Sequence, residues 1–262
     1  MTSRLTADPW GELRRLTPAR IALGRAGGSL PTAELLRFSA AHAAAREAVW
    51  SELDLEELER ALGALPLPIV RVSSEAPDRR TFLLRPELGR RLDRASAEQL
   101  AALGAGHRDL AIVIGDGLSA RAARHAPAFL EALLPRLADA GIRPGPVCLA
   151  RGARVGLQDP VGAALGARCA LIALGERPGL GAVDSLGVYL VHGPGPGRSD
   201  ADRNCVSNVR PDGLPPVAAA ELVAWLVREA LRRGLSGVAL KDEREALPAG
   251  EPARALGGER GG

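Results

Sequence analysis

The sequence predicts an α/β fold: a Rossmann-like, doubly wound, mostly parallel sheet preceded by a mainly helical N-terminal region. Three observations carry this expectation. From about residue 109 onward, apolar runs of strand length alternate with stretches of helical spacing. The runs end in glycine-rich turns, as strands buried on both faces do when a helix follows. The first hundred residues lack long β-branched runs. The expected division is therefore 1–100 as a helical region, 101–240 as the sheet domain, and 241–262, ending Gly-Gly-Glu-Arg-Gly-Gly, as a mobile tail.

Each element has its own signal. Residues 32–47 read as a helix, with Thr32 as N-cap and Leu35, Leu36, Ser39 and Ala43 on one face. A second helix spans about 54–62. The runs LPIVRVSS and RTFLLRP, separated by EAPDRR, read as an edge hairpin. DLAIVIGDG (109–117) is a continuous apolar run and the first buried strand. Residues 119–141 follow as a helix with Ala123, Phe129, Leu130, Leu133, Leu134 and Leu137 inward and Gly141 as its stop, kinked or split by Pro127 and Pro135. PVCLARGARV is the second strand, DPVGAALGA a short helix with Pro160 near its start, CALIALGE the third strand and LGVYLVHG the fourth. Residues 193–213 read as a long polar binding loop, and 215–234 as the final helix, with Arg232 and Arg233 at its C-terminal end.

Composition narrows the function. The 262 residues carry 34 Lys+Arg against 31 Asp+Glu and only seven aromatics, three Trp, one Tyr and three Phe. Charge this balanced gives no basic arm, and so few aromatics give no stacking platform, which argues against nucleic acid. There is no apolar run of bilayer length, and the N-terminus has no secretory apolar core, so the expectation is a soluble cytoplasmic protein without a membrane partner. Three widely spaced cysteines, at 148, 169 and 205, suggest neither a disulfide framework nor a zinc site. Cys148 and Cys169 read as strand core; Cys205, among polar neighbours, reads equally as a small buried residue or as a contact. His42, His107, His125 and His192 have no metal-ligand spacing.

Ligands of open parallel sheets bind beyond the carboxyl ends of the strands. Four unusual segments should meet there: GDGLS (115–119), ARGARV (150–155), GERPGLG (175–181) and the 193–213 loop, with His192 at the same rim. The turn Gly115-Asp116-Gly117-Leu118-Ser119-Ala120 matches G-x-G-x-x-A, a dinucleotide signature. Against that, Asp116 sets a carboxylate beside the would-be phosphate, and an arginine stands where an acidic ribose partner belongs. A tight strand–helix turn capped by Ser119 is the plainer reading. No nucleophile elbow, P-loop or H-E-x-x-H occurs. The residues alone stop at an α/β protein with a polar, glycine-rich rim.

Five segments in order, ELRRLTPARIALGRAGGSLPTAELLRFSAAHAAAREAVW (12–50), LLRPELGRRL (83–92), IVIGDGLSA (112–120), GERPGLGAVDSLGVYLV (175–191) and ADRNCVSNVRPDGLPPVAAAEL (201–222), resemble the small-subunit family of ethanolamine ammonia-lyase. GERPGLG and DRNCVSN are the most specific. The resemblance implies a subunit of a lyase that converts ethanolamine to acetaldehyde and ammonia with adenosylcobalamin by a radical route. It implies a large-subunit partner that carries the catalytic groups, and a small-subunit domain that covers the corrin from the other side. Cobalamin contacts in that family match Val155, Glu176 and Cys205 here. Family members from microcompartment-forming bacteria have a longer N-terminal extension. Eleven residues precede Glu12 here, which favours cytoplasmic action and leaves microcompartment packaging open. The other readings are a nicotinamide-dependent oxidoreductase built on the 115–120 turn and a non-catalytic assembly subunit.

Overall fold

The computed structural model describes residues 5–104, 106 and 108–244, so His107 and most of the expected mobile tail lie outside the described residues. A two-residue ribbon, β1 (Leu5–Thr6) with β2 (Arg25–Ala26), precedes a long helix, α1 (Thr32–Trp50). Thr32 is the first helical residue rather than its cap; Pro31 holds that position. The expected apolar face is not buried: Leu35 and Leu36 are exposed, and within α1 only Ala48 is covered. Helix α2 (Leu55–Leu62) is capped by Asp54, whose carboxylate accepts from Glu56 N–H at 3.0 Å and Glu57 N–H at 2.9 Å.

The expected hairpin near residue 75 does not form. Ile69–Ser73 is a strand, β3, that joins the main sheet, and Arg79–Leu84 is a helix, α3. Two causes are visible. Asp78 caps α3 by accepting Thr81 N–H at 2.7 Å, and β3 runs parallel to a strand more than seventy residues further along the chain. Helix α4 (Arg94–Ala102), capped by Asp93, leads into the centre of the molecule.

The sheet has six strands in the order β3-β5-β4-β6-β7-β8. β4 (Arg108–Gly115), β5 (Pro144–Arg151) and β6 (Ala167–Gly175) are parallel to one another and to β3. β7 (Leu186–His192) and β8 (Arg203–Val209) are antiparallel additions. The apolar runs become the buried centre: Leu110 to Ile114 and Val147 to Ala150 are inaccessible to solvent. Between β4 and β5 lies α5 (Ala126–Asp139), preceded by a 3-10 turn over Ala120–His125. The single predicted helix is thus split just before Pro127, while Pro135 is accommodated inside α5 without a break. Phe129, Leu130, Leu133, Leu134 and Leu137 point inward as their spacing requires.

Helices cover the two faces unequally. α5 and α7 (Pro216–Arg233) pack together on one face, where α7 reaches β7 and β8. Leu186, Val188, Leu190, Val206 and Val209 point into that layer. On the other face, α4 and α6 (Gln158–Ala164) cover β3 to β6 around Val113, Cys148, Val161 and Ile172. On that face of β7 and β8, Val191 and Arg203 are buried against the α6 layer, whereas Cys205 and Ser207 are left exposed.

Candidate functional site

The chain reversal after β6 changes what meets what. In register, His192 pairs with Cys169 at the start of β6, so His192 and the turn that follows it lie at the amino edge of the parallel strands, not at the expected rim. The polar stretch read as one long loop instead contains β8, which runs back alongside β7 and sets Cys205 opposite Tyr189. Alternation along a strand then decides orientation. Val206 and Val209 face the α7 layer, so Cys205 and Ser207 lie on the opposite face, beyond the part that α6 covers, together with Gly187 and Tyr189.

A cavity of about 450 Å³ opens where this bare face meets the carboxyl ends of β4, β5 and β6. Val155, Glu176, Arg177, Leu118 and Tyr189 are among its lining residues. Val155 and Glu176 therefore share one cavity. Cys205 is not among the lining residues but abuts it through Tyr189, its cross-strand partner and hydrogen-bonding neighbour. Cys205 is exposed. Partial desolvation pushes its thiol above the ordinary value, Tyr189 pulls it back and the Glu176 charge pushes it up again. The protonated thiol is thus the resting form, suited to contact rather than attack. Cys148 and Cys169 are buried, and desolvation pushes both thiols up to about 12.

Glu176 is held from three directions. Its carboxylate accepts from the hydroxyls of Ser185 and Ser207 and from Asn208 N–H at 3.2 Å. Gly187 makes this possible: a β-carbon there would come within 2.9 Å of Glu176 Cγ. Tyr189, Ser185 and Gly187 were not singled out by sequence reasoning. Tyr189 sits inside an apolar strand pattern, and the available signal was that it is the only tyrosine in the chain.

The glycine-rich turn after β4 proves closed. Successive helices lie on opposite faces, α5 after β4 and α6 after β5, so the crevice favoured by ligands lies between the ends of these two strands. Asp116 fills it. Its carboxylate accepts from Gly152 N–H at 3.0 Å and Ala153 N–H at 2.8 Å and pairs with Arg79 at 3.3 Å. Burial raises its pKa, against the pull of the Ala153 N–H, Arg79 and the Gly152 N–H. Arg79 also donates to Gly117 O at 2.8 Å and Val49 O at 2.7 Å. Gly117, at φ +54°, has no room for a β-carbon against the backbone of Gly175, and Leu118 N–H donates to Gly175 O at 2.8 Å. Ser119 does not cap the following turn; its hydroxyl donates to Val183 O at 2.6 Å. The chain's own carboxylate and backbone occupy the place a pyrophosphate would need, which removes the structural basis of the dinucleotide reading.

The loop after Glu176 is tied down in turn. Asp184 accepts from Arg124 and contacts His125 Nε2 at 2.9 Å. At the far end of this face, Arg203 and Asp159 form a buried bidentate pair at 3.0 and 2.7 Å, which joins β8 to α6. No group of three or more His, Cys, Asp or Glu side chains among the described residues could hold a metal ion, and no described helix is long and apolar enough to cross a membrane.

Fold and site together define a class: a mixed α/β protein whose mostly parallel sheet carries a glycine-lined pocket beside a partly uncovered pair of antiparallel strands. The comparison with known proteins is specific. The family model for the ethanolamine ammonia-lyase light chain (EutC) matches residues 7–241, and the chain belongs to that family. Proteins named ethanolamine ammonia-lyase small subunit are similar along nearly their whole length. The one from Rhodopseudomonas palustris (strain BisA53) is 51% identical over 246 residues, covering 94% of each chain. That from Bradyrhizobium diazoefficiens is 54% identical over 237 residues, covering 90% of this chain and 91% of its own. That from Azotobacter vinelandii is 51% identical over 247 residues, covering 93% and 92%.

Proposed function

We propose that this chain works as the small subunit of an adenosylcobalamin-dependent ethanolamine ammonia-lyase. In this reading its 101–240 portion is a Rossmann-like domain supplying one half of a corrin cradle, and a large subunit supplies the other half and the catalytic groups. One observation carries the reading: Val155 and Glu176 line a single cavity, and Cys205 stands beside it through Tyr189, on a stretch of sheet that the described helices leave bare. Val155, Glu176 and Cys205 are the proposed cofactor contacts.

The residues present fit such a group. A corrin is a broad, largely apolar plate fringed with neutral amides. It asks for a flat floor, apolar contacts at its edge and acceptors for amide N–H groups. Gly187 gives the Glu176 stem room to lie along the sheet, Val155 offers an apolar edge and Glu176 an acceptor. Adenosylcobalamin, when bound, supplies the radical chemistry. The work of this chain is to bind and orient the plate, and to keep water from its edge. Glu176 accepts hydrogen bonds there, while Val155 and the protonated thiol of Cys205 pack.

The 1–100 region is the proposed docking surface for the large subunit, with β3 contributed to the sheet of the second domain. Trp10, Leu16, Leu35, Leu36, Phe38 and Trp50 are all exposed in the isolated chain, apolar side chains that a partner would cover. Reconstitution tests the reading. Ammonia release from ethanolamine is expected only when both subunits and adenosylcobalamin are present. Full activity from the large subunit without this chain would overturn it.

A further inference from the structure

The scaffolding of Glu176 says more than that the residue is an acceptor. A carboxylate offers about four acceptor positions. The Ser185 hydroxyl and Asn208 N–H occupy those of Oε2, and the Ser207 hydroxyl occupies one on Oε1. One position, on Oε1, is left open on a side chain that lines the cavity. The stem cannot swing aside freely, because it lies against Gly187 and its donors come from two separate segments, β8 and the β6–β7 connection. A carboxylate fixed in this way accepts one N–H donor. A second carboxylate in the donor's place would leave the open acceptor unpaired and set like charges together.

We propose that Glu176 reads a single neutral amide on the corrin edge, with Ser185, Ser207 and Gly187 as its positioning residues, so that the cradle rejects corrinoids in which that amide has been hydrolysed to a carboxylic acid. This rests on the corrin-cradle reading above and adds to it a specificity and three residues.

The test uses the assembled two-subunit complex and equilibrium binding rather than turnover. Dissociation constants are measured for cobalamin and for its separated monocarboxylic acid derivatives, each with one peripheral amide hydrolysed. The wild-type complex is expected to bind at least one derivative about tenfold or more weaker than cobalamin, the scale of a lost hydrogen bond that leaves its partner unsatisfied. In Glu176→Gln that ratio should collapse towards one. In Ser207→Ala, on the exposed edge strand, it should fall several-fold with subunit assembly intact, and Ser207→Thr should restore it. Equal affinity of the wild type for cobalamin and every monocarboxylate overturns the proposal. So does a ratio that Ser207→Ala leaves untouched while Glu176→Gln abolishes it, since the serine would then have no positioning role, although the cradle reading would survive. If Glu176→Ala and Cys205→Ala both leave cobalamin affinity unchanged, the cradle reading itself fails and this proposal with it.

Discussion

Asp116 shows how one residue can decide between two functions of the same turn. A glycine-rich turn with free N–H groups invites a phosphate; here the carboxylate of that turn takes the N–H groups of the neighbouring Gly152–Ala153 turn, and Leu118 N–H is spent on Gly175 O. Asp116 links the end of β4 to the Gly152–Ala153 backbone and to Arg79, and so fixes the segment that presents Val155. Removing it leaves a nine-tenths-buried guanidinium without its carboxylate and two buried N–H groups without an acceptor. Asp116→Ala is therefore expected to lower stability by about 3–5 kcal/mol, the range for breaking one side of a buried pair. Urea unfolding followed by circular dichroism measures it; a loss below about 1 kcal/mol would mean that Asp116 organises nothing.

At the scale of elements, α7 carries the most polarised charge arrangement. Glu229, largely buried, accepts from Arg232 at 2.6 Å and from Arg233 at 2.8 Å, and these partners hold its carboxyl at about 2, against an ordinary 4.5. A carboxylate with a depressed folded-state value contributes stability that is complete above its unfolded value and is lost as the pH falls through the folded one. Thermal melting of the wild type should thus show an advantage over Glu229→Gln at pH 6 that shrinks between pH 4.5 and about 2. A constant difference across that window would contradict the assignment. Elements also show where the sequence was legible. Strands β4, β5 and β6 and the apolar face of α5 were readable because burial on both faces, or on one helical stripe, leaves a periodic trace. β8 was not: an edge strand with one bare face keeps only Val206 and Val209 as apolar marks, so Arg203–Val209 reads as polar loop. The segment 79–84 was misread for the opposite reason, since TFLL looks like a strand until Asp78 is weighed as a cap. Of the candidate site, Val155, Glu176 and Cys205 came from resemblance, not from physics. Their common neighbour Tyr189 and the donors around Glu176 depend on the β7–β8 register, which local sequence does not encode.

The whole molecule is asymmetric. One face of the sheet is layered by α5 and α7; the other is covered over the parallel strands and open at Cys205 and Ser207 of β8, and the arm leading to α1 exposes apolar side chains. Both uncovered surfaces are accounted for if a large subunit covers the arm and a corrin lies between the two chains. The most direct measurement is the cobalamin dissociation constant of the assembled complex carrying Glu176→Ala or Cys205→Ala. The account predicts weaker binding for both, about tenfold or more for Glu176→Ala because the amide donor loses its acceptor, with assembly unchanged. Wild-type affinity in both variants would mean that the corrin rests on some other surface.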